Sequence, residues 1–396
     1  MSAPSQRSSI RPPMPMALVA ASALPAIPVQ TIDPVYRAQL IEEFKRFLDE
    51  VKVVKNVPSK KPIDEQVVLV DYNLIEREYA DVRPVVGGDP RTGIELFQEA
   101  RKFDPRYRDF VDSEDVVMHS RVVPAILSQL SGYNLTTIVL GPGSTNALED
   151  RDLKIVRALN SPLSFVLDIE PSIASEAKQF LEMKMKPGNP NYVAHDHGGK
   201  DFMKGFPSDL RQYQPSVGIM SGGTMGQMDI PYFLKSYNEA TNEKGLLIFS
   251  LNDNPDNPQH IYNSGENFAD FKRYLWKLMA TCSNQPSEFN LEAPHYSARK
   301  QKNGDGTYDV LHTHLFQSST SISFGKDTYK IPAGALAVTG KSKRPSGAII
   351  SEFIEQAGME LAKSWDDVHL QCMPVYNRVY AAMGKNFPYS FGNLLR

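Results

Sequence analysis

Thr136-Thr137-Ile138-Val139-Leu140-Gly141-Pro142-Gly143-Ser144-Thr145, followed by Phe165-Val166-Leu167-Asp168, brings together residue types that could hold a nucleoside. The run reads as a strand, a glycine turn, a helix and a second strand closing on an acid. Small residues at the first turn admit a ligand close to the backbone, and an acid ending the next strand can accept hydrogen bonds from ribose hydroxyls. Gly141 and Gly143 are the two glycines of this turn. A dinucleotide fingerprint has a third, with a helix N-terminus cradling the pyrophosphate, so a cofactor without pyrophosphate, such as S-adenosylmethionine, fits better than NAD. Strand-Gly-helix turns also serve as plain packing devices, and that alternative stands beside the functional one.

Other residues of chemical interest are His195-Asp196-His197 and His312-Thr313-His314, whose i, i+2 spacing would put two imidazoles on one face of a strand. With no third cluster of ligands legible, structural or solvent-facing histidines are the simpler account, and no metal is expected. The chain has no Gly-x-Ser-x-Gly elbow, no Walker loop and no repeat array, which removes support for hydrolase and ATPase readings.

The elements that must position these residues alternate. Strand-like runs at Thr137–Leu140, Phe165–Leu167, Asn191–Ala194, Val217–Met220 and Leu246–Phe249 are separated in several places by helical patterns, such as Ile173–Met185 and Ile230–Thr241. This rhythm predicts a doubly wound parallel sheet, with the glycine turn, Asp168, Asp201 and the Gly222-Gly223 loop converging outside the carboxyl ends of its strands. Between Asn257 and Thr339 the rhythm breaks, and Thr307–Leu311 and Ser319–Phe324 read as strands of another sheet, hence a second lobe. Upstream, Asp33-Pro34 forms an N-cap and N1 pair ahead of Leu40, Ile41, Phe44, Phe47, Leu48 and Val51 at helical spacing. Asn56 to Asp64 reads as a linker, Gln66–Val70 as a strand, and Gly93–Lys102 as a short helix.

Composition sets outer bounds. A chain of 396 residues with a net charge of −3 has ordinary globular proportions and no global attraction for nucleic acid or anionic membrane, so a small-molecule ligand is the default. Cys282 and Cys372 lack metal spacing and suit a reducing, cytoplasmic compartment as buried thiols. The apolar run Met14–Val29 is interrupted by Pro15, Pro25 and Pro28, which favours a flexible tail over a signal peptide or a membrane span.

The ordered set Gly141-x-Gly143, Asp168, Asp201-Phe202, Ser221-Gly222-Gly223-Thr224-Met225-Gly226-Gln227, Tyr262 and Thr339-x-x-Ser342 resembles the histidine-specific Nα-methyltransferase family of ergothioneine biosynthesis, from roughly Gly93 to the C-terminus. The resemblance implies a Rossmann-like methyltransferase domain (residues 113–252 plus 345–396) and a smaller α+β substrate-binding lobe (60–112 plus 253–344), behind a tail (1–32) and an N-terminal helix (33–59). It implies S-adenosylmethionine held by Gly141, Gly143, Asp168, Asp201, Phe202, Gly222 and Gly223. The substrate, an amino acid or small amine, would meet Phe97, Arg108, Gln227, Tyr262, Thr339 and Ser342, with Tyr262, Gln227 and Thr224 orienting the reacting amine. Oligomeric state is left open, with a monomer favoured.

Three departures from the family pattern bear on the substrate. Gln227 stands where the family has Asn. Gly340, within Thr339-Gly340-Lys341-Ser342, replaces the glutamate that faces the histidine imidazole, which puts histidine itself in question. Arg108 occupies the place of a substrate-contacting tyrosine and could fork onto an anion or lie solvated, while Lys341, Lys343 and Arg344 read as an exposed loop. The alternatives are a methyltransferase of a different specialised metabolite and a noncatalytic S-adenosylmethionine-binding protein.

Overall fold

Apolar runs long enough to be buried on both faces form the centre of the molecule, as expected of parallel strands covered by helices on each side. The computed structural model describes residues 32–53, 75–80, 82–199, 202, 204–252, 261–263, 265–366, 377–389 and 391. The expected strand at Gln66–Val70, the linker before it, the tail, Asp201 and Cys372 lie outside the described residues.

Strands β1 (Thr136–Leu140), β2 (Leu163–Asp168), β3 (Val193–Gly198), β4 (Ser216–Met220) and β5 (Gly245–Asn252) pair in parallel. Strands β6 (Pro294–Lys302), β7 (Tyr308–Phe316) and β10 (Leu336–Arg344) make a separate antiparallel sheet, and β8 (Thr320–Phe324) pairs with β9 (Asp327–Ile331). The chain then returns to the first sheet with β11 (Met359–Asp366) and β12 (Asn377–Gly384). The resulting order is β11-β12-β5-β4-β1-β2-β3, with β12 antiparallel to both its neighbours. Strand order reverses at β1, which lies between β2 and β4, and such a switch point leaves a crevice at the carboxyl ends.

The main helices are α1 (Pro34–Val53), α2 (Gly93–Phe103), α3 (Pro105–Val117), α4 (Leu153–Leu159), α5 (Pro171–Met185), α6 (Ile230–Ala240), α7 (Glu266–Cys282) and α8 (Gly347–Gln356). Alternation along β1 sends Val139 to a core with Val156 of α4 and Leu181 of α5, and Ile138 and Leu140 to the opposite core with Phe233 of α6 and Ile350 of α8. A third core joins α1, α2, α3 and α7 to β6 through β9.

Two sequence expectations are revised. Strand β3 begins at Val193, not Asn191, and runs on to Gly198. Strand β7 extends to Phe316 because His312, Thr313 and His314 are buried in the middle strand of their sheet, where polarity hides them from a hydrophobic pattern. Helix α1 forms as expected, with Asp33 Oδ1 accepting from the N–H groups of Val35 (2.9 Å) and Tyr36 (3.0 Å). Its apolar face belongs to the third core. The Phe47 ring lies 5.7 Å from Trp276 of α7, and Phe44 lies 6.3 Å from Phe324 of β8.

Phe47 is fully buried. Replacing it with Ala should therefore cost about 3–5 kcal/mol in urea unfolding, the usual range for truncating a buried aromatic ring. A loss under about 1 kcal/mol would show that α1 contributes little to this core.

Candidate active site at the switch point

The loop after β4 is held by polar contacts to the buried side chains of Asp152, Glu114 and Ser250. Ser221 Oγ donates to Asp152 Oδ1 at 2.7 Å, the Gly222 N–H donates to Glu114 Oε1 at 2.8 Å, and the Gly223 N–H donates to Ser250 Oγ at 3.3 Å. Glu114 is itself paired through Oε2 with Arg151 Nη1 at 3.2 Å. Gly222 and Gly223 adopt φ of 77° and 73°, a region that disfavours any side chain, and a Cβ on Gly222 would press to 3.2 Å from Arg151 Nη1. The loop thus reaches over the crevice in one conformation.

Opposite it stands the glycine turn. Gly141 has φ of 60° and its N–H bonds the Leu167 carbonyl at 2.9 Å, tying the ends of β1 and β2. A Cβ on Gly141 would lie 3.5 Å from Thr224 Cγ2 and 3.7 Å from Phe202 Cζ, so these three expected residues meet at one point. Asp168 ends β2, nearly buried, and its Oδ1 accepts from the Glu170 N–H at 2.9 Å. Burial pushes its carboxyl up to about 7, against the opposing pull of its backbone hydrogen bonds.

A cleft of about 1230 Å³, its open mouth included, is lined by Gly141, Gly143, Asp168, Phe202, Gly222, Gly223 and Thr224. Gln227, Tyr262, Phe97 and Ser342 line the same cleft. Two expected residues lie elsewhere. Arg108 is exposed, because its helical neighbours Tyr107 and Phe110 occupy the buried face of α3. Thr339 is buried in a β-bulge of β10 and its hydroxyl points to the His312 carbonyl at 3.4 Å.

The structure adds residues that the sequence did not single out for the site. Arg344, expected on an exposed loop, is 3 % exposed, lines the cleft, and donates from Nη2 to Tyr262 Oη at 2.9 Å. The sequence does carry a signal for it: Arg344, Ser342 and Gly340 follow one another at period 2 along β10. Lys272 of α7 also lines the cleft and is paired with the fully buried Glu78. Burial pushes Glu78 up to about 7 and Lys272 down, each opposed by its partner's charge. Across the strand from Gly340 lies His312, Nδ1 2.8 Å from Tyr296 Oη, and burial followed by the Lys272 and Arg344 charges holds it well below the usual histidine range. His195 and His197 stack on Phe165 at 5.5 and 5.6 Å, away from His312, and no trio of ligating side chains suited to a metal occurs among the described residues.

The strand order, with six of the seven strands running in one direction and the antiparallel β12 inserted next to the edge, defines a Rossmann-like α/β class with additional antiparallel sheets. The chain matches no family model and no curated protein sequence. Among solved structures it is similar to a mitomycin 7-O-methyltransferase (13% identity, TM-score 0.33, 73% of this chain), of whose length it spans 60%. It is similar to a Burkholderia thailandensis 1,6-didemethyltoxoflavin-N1-methyltransferase (7% identity, TM-score 0.34, 73% of this chain and 82% of that one). A third is an O-methyltransferase family protein from the same organism (11% identity, TM-score 0.36, 90% of this chain and 74% of that one). Scores this low assign no activity, and the fold class stands on the strand order. Among the described residues no helix is long and apolar enough to cross a membrane.

Ionised Asp168 is the stronger hydroxyl acceptor. Burial favours its protonated form, so a ligand that donates hydroxyls to Asp168 would have to displace that proton as the pH falls through about 7. Affinity for S-adenosylhomocysteine, read by calorimetry, should accordingly fall between pH 8 and pH 6. Asp168→Asn should weaken binding by about 10–100-fold at pH 8, the loss of a charge-assisted hydrogen bond, and flatten the pH dependence.

Proposed function

We propose that this protein is an S-adenosylmethionine-dependent N-methyltransferase acting on the amino nitrogen of histidine or a related amino acid or small amine. The observation that carries the proposal is the convergence of Gly141, Phe202 and Thr224 at one point of a cleft that Gln227 and Tyr262 also line. The clamped Ser221–Gln227 loop would then touch cofactor and acceptor together. Asp168 fits the ribose hydroxyls, Gly141 and Gly143 leave room for the methionine portion, and Phe202 offers an apolar ring to the base. Asp201, the other residue implied there by resemblance, lies outside the described residues. Bound there, S-adenosylmethionine would supply an electrophilic methyl group on a sulfonium centre.

The chain's own residues would do the positioning, which supplies most of the rate in an in-line displacement. Gln227, Tyr262 and Thr224 would orient the amine. Tyr107 and Phe268, whose rings lie 5.9 and 5.1 Å from Tyr262, surround it with apolar surface that disfavours the ammonium form and helps present a lone pair. Gly340 and His312, facing each other across the strands where the family resemblance has a glutamate, favour an acceptor other than histidine.

Mass spectrometry of the protein incubated with methyl-deuterated S-adenosylmethionine and a pool of amino acids and amines should show label on nitrogen of one of them. Label on oxygen or carbon, or none with S-adenosylhomocysteine bound, would overturn this reading. Tyr262→Phe should lower kcat/KM by about 10–100-fold while leaving S-adenosylhomocysteine affinity unchanged.

A further inference from the structure

Two arginines and a lysine line the cleft, Arg151, Arg344 and Lys272, with the histidine His312 beside them. Arg151 is balanced by Glu114 and Lys272 by Glu78. Arg344 has no such carboxylate among the described residues. Its Nη2 donates to a tyrosine hydroxyl, and its Nη1 is buried with no acceptor among the described residues. A buried charge without a counter-ion or full hydrogen bonding is unfavourable, and a guanidinium cannot escape by losing its proton.

The surroundings of Arg344 offer further donors. A Cβ placed on Gly226 would come within 2.7 Å of both Arg344 Nη1 and Ser342 Oγ, so the guanidinium and the serine hydroxyl converge beneath the loop, one residue before Gln227. Tyr262 Oη, already accepting from Arg344, has its own proton left to donate. His312 is kept neutral there, in part by Arg344 itself, so it does not compete as a second cation. One planar fork with hydroxyl donors on either side matches a carboxylate in charge and shape.

We infer that Arg344, with Tyr262 and Ser342, forms a carboxylate subsite, so that the methyl acceptor is an amine that also carries a carboxylate and Arg344 is the residue that selects it. The inference rests on the methyltransferase reading for the word acceptor, and on Arg344 alone for the anion.

Calorimetric titration of protein loaded with S-adenosylhomocysteine tests it, using each L-amino acid against its decarboxylated partner: histamine, tryptamine, tyramine and, for glutamate, 4-aminobutyrate. At least one amino acid should bind about 30-fold or more tightly than the carboxylate-free amines histamine, tryptamine and tyramine, and Arg344→Gln should abolish that preference, while Arg344→Lys retains part of it. 4-Aminobutyrate binding as glutamate does would assign the subsite to a side-chain carboxylate, and loss of binding would assign it to the α-carboxylate. Arg344→Met separates this role from a structural one: with the unpaired charge removed, the ligand-free variant should melt no lower than the wild type. Histamine, tryptamine or tyramine binding as tightly as the best-bound amino acid, an Arg344→Gln variant with unchanged preference, or no amino acid binding at all would overturn the inference. Failure to bind S-adenosylhomocysteine would instead overturn the methyltransferase reading, and the same titrations without it would still read the anion subsite.

Discussion

The site depends on one buried cluster, Arg151 with Glu114 and its neighbour Asp152. These side chains come from α3 and from the helical segment that follows the glycine turn, and they meet the loop after β4. Burying charge is costly unless every polar atom finds a partner, and Glu114 meets that condition by accepting from both the Arg151 guanidinium and the Gly222 N–H. Asp152, pushed up to about 6 by burial, accepts from Ser221. A loop of left-handed glycines has many conformations in isolation, and these anchors select one of them. The positions of Thr224 and Gln227 follow from that selection.

From this anchored loop the cleft divides by charge. On the glycine-turn side the ionisable groups are acids, Asp168 and Glu170, which suit hydroxyl donors. On the other side, β10 and α7 present Arg344 and Lys272, with hydroxyls from tyrosine and serine among aromatic rings. The first arrangement accepts hydrogen bonds and the second donates them. A neutral-hydroxyl ligand and a ligand with a negative group would each find only one half complementary, which is how a single cleft can order two different molecules.

Much of the central sheet was readable in advance for a physical reason. Strands β4 and β5 are buried at every position, so their sequences are mostly apolar, and the intervening helices carry amphipathic patterns. The apolar pattern of β7 stops at Leu311, whereas the strand runs on to Phe316, because His312, Thr313 and His314 are polar residues buried by their partners. The same limit hid Arg344 and the Glu78–Lys272 pair: composition marks such residues as surface, and only their partners from distant segments reverse that. Arg108 erred in the other direction, since a charge that could bind a ligand faces solvent when its helix turns Tyr107 inward.

The sequence by itself determined the alternation that builds a doubly wound sheet, the two glycines that permit close approach at its switch point, and the acid at the end of β2, because these are local consequences of burial and backbone freedom. Which polar side chains share the cleft was decided only by tertiary structure. Glu114 and Gly222 lie 108 residues apart in the chain, and Arg344 and Tyr262 lie 82 apart. The charge balance that leaves Arg344 unmatched is a property of that assembled set and of no single segment.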